Sequence, residues 1–130
     1  MSGSQPHSVT PLRAQLNTTV HVPGSKSVAA RALVCAALAS GKSSVSNLPT
    51  GDDTVSMLAG LSLLGAQIET HGNTAEFASG IDVDQASPVV IDARLAGTTA
   101  RFLTAVSALR AGEVVITGED ALRKRPMHDL

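Results

Sequence analysis

Tryptophan and tyrosine are absent from this 130-residue sequence, and phenylalanine occurs twice. Single-stranded nucleic acid is gripped by stacking bases on aromatic faces, so the shortage argues against that class of partner. Charge of either sign is not in excess either. Ten Lys and Arg against eleven Asp and Glu leave a formal net charge of -1. That balance argues against a broad electrostatic footprint for DNA or a membrane surface. The single cysteine, Cys35, has no internal disulfide partner. His7, His21, His71 and His128 show no metal-ligand spacing, so no zinc site is expected. No apolar run approaches the roughly 18 residues of a membrane span. Residues 1–17 are polar, with Pro6, Pro11 and Arg13, and contain nothing like the apolar segment of a signal peptide. The expectation is a cytoplasmic enzyme or binding protein with neither a membrane nor a nucleic-acid partner.

What is present is an alternation of strands and helices. Thr18–Val22 reads as a short strand stopped by Pro23-Gly24. Ser27 is the expected N-cap of a helix over about Val28 to Ser40, ended by Gly41. Apart from Arg31 that helix is apolar on every face, which predicts burial all round. Lys42–Asn47 reads as a strand, and Asp52 or Asp53 caps a helix carrying Val55, Leu58, Leu61 and Leu64, closed by Gly65. Ala66–Thr70 and Thr74–Ala78 form a hairpin around His71-Gly72-Asn73. Polar strands beside an apolar helix predict helices inside and sheets outside. Val89–Ala93, a helix over about Thr99 to Ala111, Gly112 and the strand Glu113–Thr117 then repeat the first unit. Arg31 and Arg101 occupy equivalent places, one turn inside their helices. Arg125-Pro126 opens a further helix, Pro being favoured at the first helical position.

Three segments deliver polar or cationic groups to the start of a helix, where free N–H groups and the helix dipole favour anions. The first is Pro23-Gly24-Ser25-Lys26-Ser27, with Arg31 beyond it. Lys26 supplies a compact mobile charge and Arg31 a forked donor for phosphate or carboxylate. The same residues equally describe a capped strand-to-helix turn with solvated charges. The second is Leu95-Ala96-Gly97-Thr98-Thr99 with Arg101, where a Thr cap and a Gly turn are the plainer account. The third is Arg123-Lys124-Arg125-Pro126, and a basic triplet is usually a solvated face. Gly41-Lys42-Ser43 ends like a phosphate-binding Walker loop, but Ala36 replaces its first Gly and it follows a helix, so it is rejected.

Together, Pro23-Gly24-Ser25-Lys26-Ser27 with Arg31, Leu95-Ala96-Gly97-Thr98 with Arg101, and Arg125-Pro126 resemble the start of the 5-enolpyruvylshikimate-3-phosphate synthase family. Leu95 stands where the family commonly has Asn, and Phe102 where Pro is frequent. The resemblance implies a chain of roughly 430 residues in two domains. It implies an α/β enolpyruvyl transferase-like inside-out barrel of repeated βαβαββ units, with helices inside and sheets outside. This chain then holds one unit and part of a second. Residues 1–22, the tail and first strand, belong with the C-terminal half, and residues 23–130 form an incomplete domain.

The implied reaction adds the 5-hydroxyl of shikimate 3-phosphate to phosphoenolpyruvate through a tetrahedral intermediate that loses phosphate. By position, Lys26, Ser27 and Arg31 hold shikimate 3-phosphate, and Lys26, Gly97 and Arg125 hold phosphoenolpyruvate. Lys26 also assists as a cation or acid. The resemblance implies no cofactor, no metal and a monomeric full-length enzyme. The other acid and base groups lie in the C-terminal half, so residues 1–130 alone are expected to be inactive. Two alternatives are carried: the related transferase acting on UDP-N-acetylglucosamine, which usually reads Lys-Asn at the first turn and has a loop cysteine, and a non-catalytic anion-binding module.

Overall fold

The computed structural model describes residues 7–127. Its elements run α1 (Lys26–Leu38), β1 (Ser43–Val45), α2 (Asp52–Leu63), β2 (Gln67–His71), β3 (Thr74–Ser79), β4 (Val89–Asp92), α3 (Gly97–Ser107), β5 (Val114–Thr117) and α4 (Asp120–Arg123). The expected hairpin forms: β2 and β3 are antiparallel, with His71 opposite Thr74. Gly72, at φ 60, takes the first turn position, where a two-residue hairpin turn needs positive φ. β1 adds to the other edge of β3, giving the order β1-β3-β2. The second sheet is the parallel pair β4-β5, joined across α3. A parallel pair needs such a crossover, whereas β2 and β3 need only a tight turn.

The three long helices touch one another and cover one side of both sheets. Leu33 of α1, Met57 and Leu61 of α2, Phe77 of β3, Ile91 of β4 and Leu103 of α3 are fully buried where these elements meet. Alternation along β3 explains the sidedness. Ala75 and Phe77 face the helices while Glu76 and Ala78 are exposed. Phe77 is the largest of these buried side chains. Its replacement by Ala is expected to cost about 3–5 kcal/mol, to be read from a urea unfolding curve.

Several expectations need correction. Thr18–Val22 is not a strand: the segment makes no ladder among the described residues, and Val20 and Val22 are exposed. A strand needs a partner, and alternation alone does not supply one. α1 starts two residues early, with Ser25 and not Ser27 as its N-cap. α2 is capped by Gly51, which places Asp52 and Asp53 inside its first turn. Gly65, at φ 100, does close α2, but α1 and α3 end before Gly41 and Gly112 are reached. α1 is buried on one face only, through Ala29, Leu33, Ala36 and Ala37. Val28, Cys35 and Leu38 are exposed on the other. No helix starts at Arg125-Pro126 within the described residues, the short α4 ending just before it, and residues 128–130 lie outside them. His128 therefore also lies outside the described residues. Among those residues no helix is long and apolar enough to cross a membrane.

Candidate anion-binding site at three helix starts

The fold brings the three singled-out turns together. Lys26 and Ser27 at the start of α1, Asp53 and Thr54 at the start of α2, and Thr98 and Thr99 at the start of α3 line one narrow cleft. Its free space is about 10 Å³, close to the lower limit for a single water. The space between these turns is therefore too small for an organic anion, and only their open side has room for one. The third turn closes in from α4. The Arg125 guanidinium lies over the Gly97 backbone, so that a Cβ built on Gly97 would come within 2.8 Å of Nη1.

Local structure decides which groups can face a ligand. The Ser25 hydroxyl accepts from Val28 N–H at 3.5 Å, which leaves Ser27 out of the cap. The α3 N-cap is Ala96, with no side-chain cap bond, and this corrects the plainer account of a Thr cap. Thr99 is spent elsewhere: it is fully buried, and its hydroxyl donates to the Asp53 backbone oxygen at 3.3 Å. The N–H groups of the first α3 turn thus lack a capping side chain, which suits an anion.

The cations divide by how they are held. Lys26 pairs with the Asp53 carboxylate, their side chains being 60% and 30% exposed. Arg31 donates from Nη1 to the Ser27 carbonyl at 2.9 Å, and its guanidinium carbon stands 5.5 Å from the centre of the Phe102 ring. That cation–π contact places the guanidinium over the Phe102 ring of α3. Arg101 donates from Nη2 to the Pro126 carbonyl at 3.0 Å and so ties the third turn to α3. Arg123 is occupied by Asp120, whereas Arg125 is directed at Gly97.

Arg94 has no part in the sequence reading, while Asp53, Thr99 and Phe102 figure there in other roles: a helix cap, a hydroxyl of the second turn and a departure from the family pattern. Arg94 adopts φ 49, uncommon outside glycine, and its Nη1 lies 3.7 Å from Asp52 Oδ1. Acidic pairs at helix starts read naturally as dipole partners, which hid the Lys26–Asp53 contact. A larger concavity among the described residues, about 600 Å³, sits at the opposite end of α1. Asp82 is its one charged lining side chain, so it does not suit an anion.

Residues 12–130 match the family described as EPSP synthase (3-phosphoshikimate 1-carboxyvinyltransferase). The chain belongs to this family. It is 42% identical over 116 residues to the 3-phosphoshikimate 1-carboxyvinyltransferase of Kocuria rhizophila, covering 84% of this chain and 26% of that one. Against the enzyme of the same name from Hamiltonella defensa the identity is 38% over 120 residues, covering 89% and 28%. The solved EPSP synthase of Acinetobacter baumannii superposes with a TM-score of 0.67 at 26% identity, over 84% of this chain and 25% of that structure. The chain thus spans about a quarter of the length of the curated EPSP synthase relatives it matches.

Proposed function

We propose that the longer protein carrying this segment transfers the enolpyruvyl group of phosphoenolpyruvate to the 5-hydroxyl of shikimate 3-phosphate and releases phosphate. The observation that carries this reading is the convergence of Lys26, the uncapped start of α3 and Arg125 on one surface, in a chain of the EPSP synthase family. Both substrates are small anions, and fixed cations at helix starts bring them together without reorganisation. In this reading Lys26, Ser27 and Arg31 bind shikimate 3-phosphate. Gly97 and Arg125, with Lys26 between the two ligands, bind phosphoenolpyruvate.

The 5-hydroxyl gives up its proton to a base as its oxygen bonds to the enol carbon, while an acid protonates the methylene, giving a tetrahedral intermediate. The carbon–oxygen bond to phosphate then breaks as the new methyl group loses a proton, which releases phosphate and restores the C=C bond, now as an enol ether on the 5-oxygen. The Lys26 ammonium steadies the phosphate and carboxylate charge during both steps. Lys26 also serves as a cation or acid, and the remaining acid and base groups are assigned to the C-terminal half of the longer protein, so residues 1–130 by themselves are expected not to turn over.

The same reading extends to architecture. The longer chain is an inside-out barrel of βαβαββ units, and the exposed apolar stripe of α1 supports this, being the face that further helices would cover. Residues 1–22 belong with the C-terminal half and residues 23–130 with the first domain, which accounts for a Thr18–Val22 segment without a partner. The enzyme acts as a cytoplasmic monomer on small anionic substrates, without a cofactor.

Gly97 provides a test of the phosphoenolpyruvate side. Its replacement by Ala pushes on the end of a flexible arginine, so the fold should survive while Arg125 is displaced. The KM for phosphoenolpyruvate is expected to rise roughly 10-fold or more, the size of one weakened charged hydrogen bond. The KM for shikimate 3-phosphate should change far less. The function itself is tested by phosphate release in the longest natural chain containing this segment. Release that requires both substrates supports the reading, and release from phosphoenolpyruvate regardless of shikimate 3-phosphate opposes it.

A further inference from the structure

We propose that Asp53 is a positioning residue that acts through Lys26, holding the ammonium in its working direction; the inference rests on the synthase reading above. The two side chains differ in freedom. The Asp53 carboxylate is the better buried partner, on the first turn of α2, and its own backbone oxygen accepts from the buried Thr99 hydroxyl. Lys26 is a mobile charge on a four-carbon stem and is more exposed. Asp53 is therefore the fixed end of the pair and Lys26 the end that is held. Thr99 joins the start of α3 to this point, so all three helix starts set the direction of one ammonium group.

Stability does not explain the contact. An exposed ion pair contributes only about 0–1 kcal/mol. Affinity does not explain it either, because a carboxylate beside two anionic substrates repels them. What remains is orientation: one of three ammonium donors goes to Asp53, which aims the other two at the ligands. Misplacement of about 1 Å at a reacting centre costs on the order of 10²-fold in rate, so this aim has kinetic weight.

The test uses Asp53→Asn, Asp53→Glu, Lys26→Ala and the double variant Lys26→Ala/Asp53→Asn in the longest natural chain. Asp53→Asn is expected to lower kcat roughly 10–100-fold with both KM values unchanged or lower. Asp53→Glu, which restores the charge, should recover part of that loss. In the Lys26→Ala background, Asp53→Asn should change kcat by less than about twofold, since interacting residues are non-additive. Thr99→Val, which preserves shape, should give a smaller fall of the same kind and guards against an Asp53 variant that does not fold. Reductive methylation with a 13C label supplies a readout independent of turnover: the Lys26 signal should move on Asp53→Asn. Multiplying effects in the double variant, or a raised KM with intact kcat, overturn the positioning role while leaving the synthase reading in place. A wild-type chain that neither turns over nor binds shikimate 3-phosphate overturns the synthase reading, and this proposal with it, even if the methyl signal moves.

Discussion

Lys26→Ala is expected to lower kcat/KM for the enolpyruvyl transfer by roughly 10²–10³, the loss seen when one preorganised charged donor leaves a transition state. The size follows from its place. Among the described residues, Lys26 is the one cation lining the cleft where the starts of α1, α2 and α3 meet. Neither Arg31, over the Phe102 ring, nor Arg125, over Gly97, can move into its position without leaving those contacts. The thermal midpoint should hardly change, because the Lys26 side chain is 60% exposed and an ion pair open to solvent on one side contributes only about 0–1 kcal/mol. Steady-state kinetics beside a melting curve separate the two effects. Activity within about threefold of wild type would remove Lys26 from the chemistry.

Gly24→Ala is the second large effect, and it should strike fold and site together. A Cβ on Gly24 would overlap the Asn47 carbonyl oxygen. That obstacle is backbone, so no side chain can swing away to relieve it. Asn47 is itself held at φ 56, and Leu48 N–H next to it donates to the Asn73 carbonyl at 2.8 Å. The turn must therefore shift, carrying Ser25 and Lys26 with it. Overpacking of this kind costs about 1–3 kcal/mol, and shikimate 3-phosphate affinity should fall at least 10-fold, or about 1.4 kcal/mol. Gly41→Ala is the matched control, since a Cβ there meets nothing within 4 Å. It should leave both the melting temperature and affinity unchanged. Equal behaviour of the two variants would mean that the first turn is not held against Asn47.

The sequence made the local pieces legible and left their meetings hidden. The β2–β3 hairpin follows from strand alternation around Gly72, and α2 follows from helical spacing closed by Gly65, whereas α1 and α3 are legible as apolar helical runs whose ends fall short of Gly41 and Gly112. Cap positions were less legible, because Ser25 and Ser27 flank Lys26 and either hydroxyl suits an N-cap. α1 is less buried than its composition implies, for a physical reason. An apolar helix calls for cover on every side, but the neighbours within residues 7–127 reach only its Ala29, Leu33, Ala36 and Ala37 face.

Lys26, Gly97 and Arg125 were each legible as anion-binding types at helix starts. That they converge depended on the packing of α1, α2 and α3 about Leu33, Leu61 and Leu103, which no single motif encodes. Asp53 was hidden for the same reason: its partner lies 27 residues away in sequence, and a carboxylate in the first turn of a helix already has a sufficient local explanation.

The most direct test of the central claim is a calorimetric titration of shikimate 3-phosphate into the longest natural chain containing this segment. Saturable binding that is lost in Lys26→Ala and Arg31→Ala is expected. Binding of UDP-N-acetylglucosamine in its place, or shikimate 3-phosphate binding indifferent to both substitutions, would contradict it.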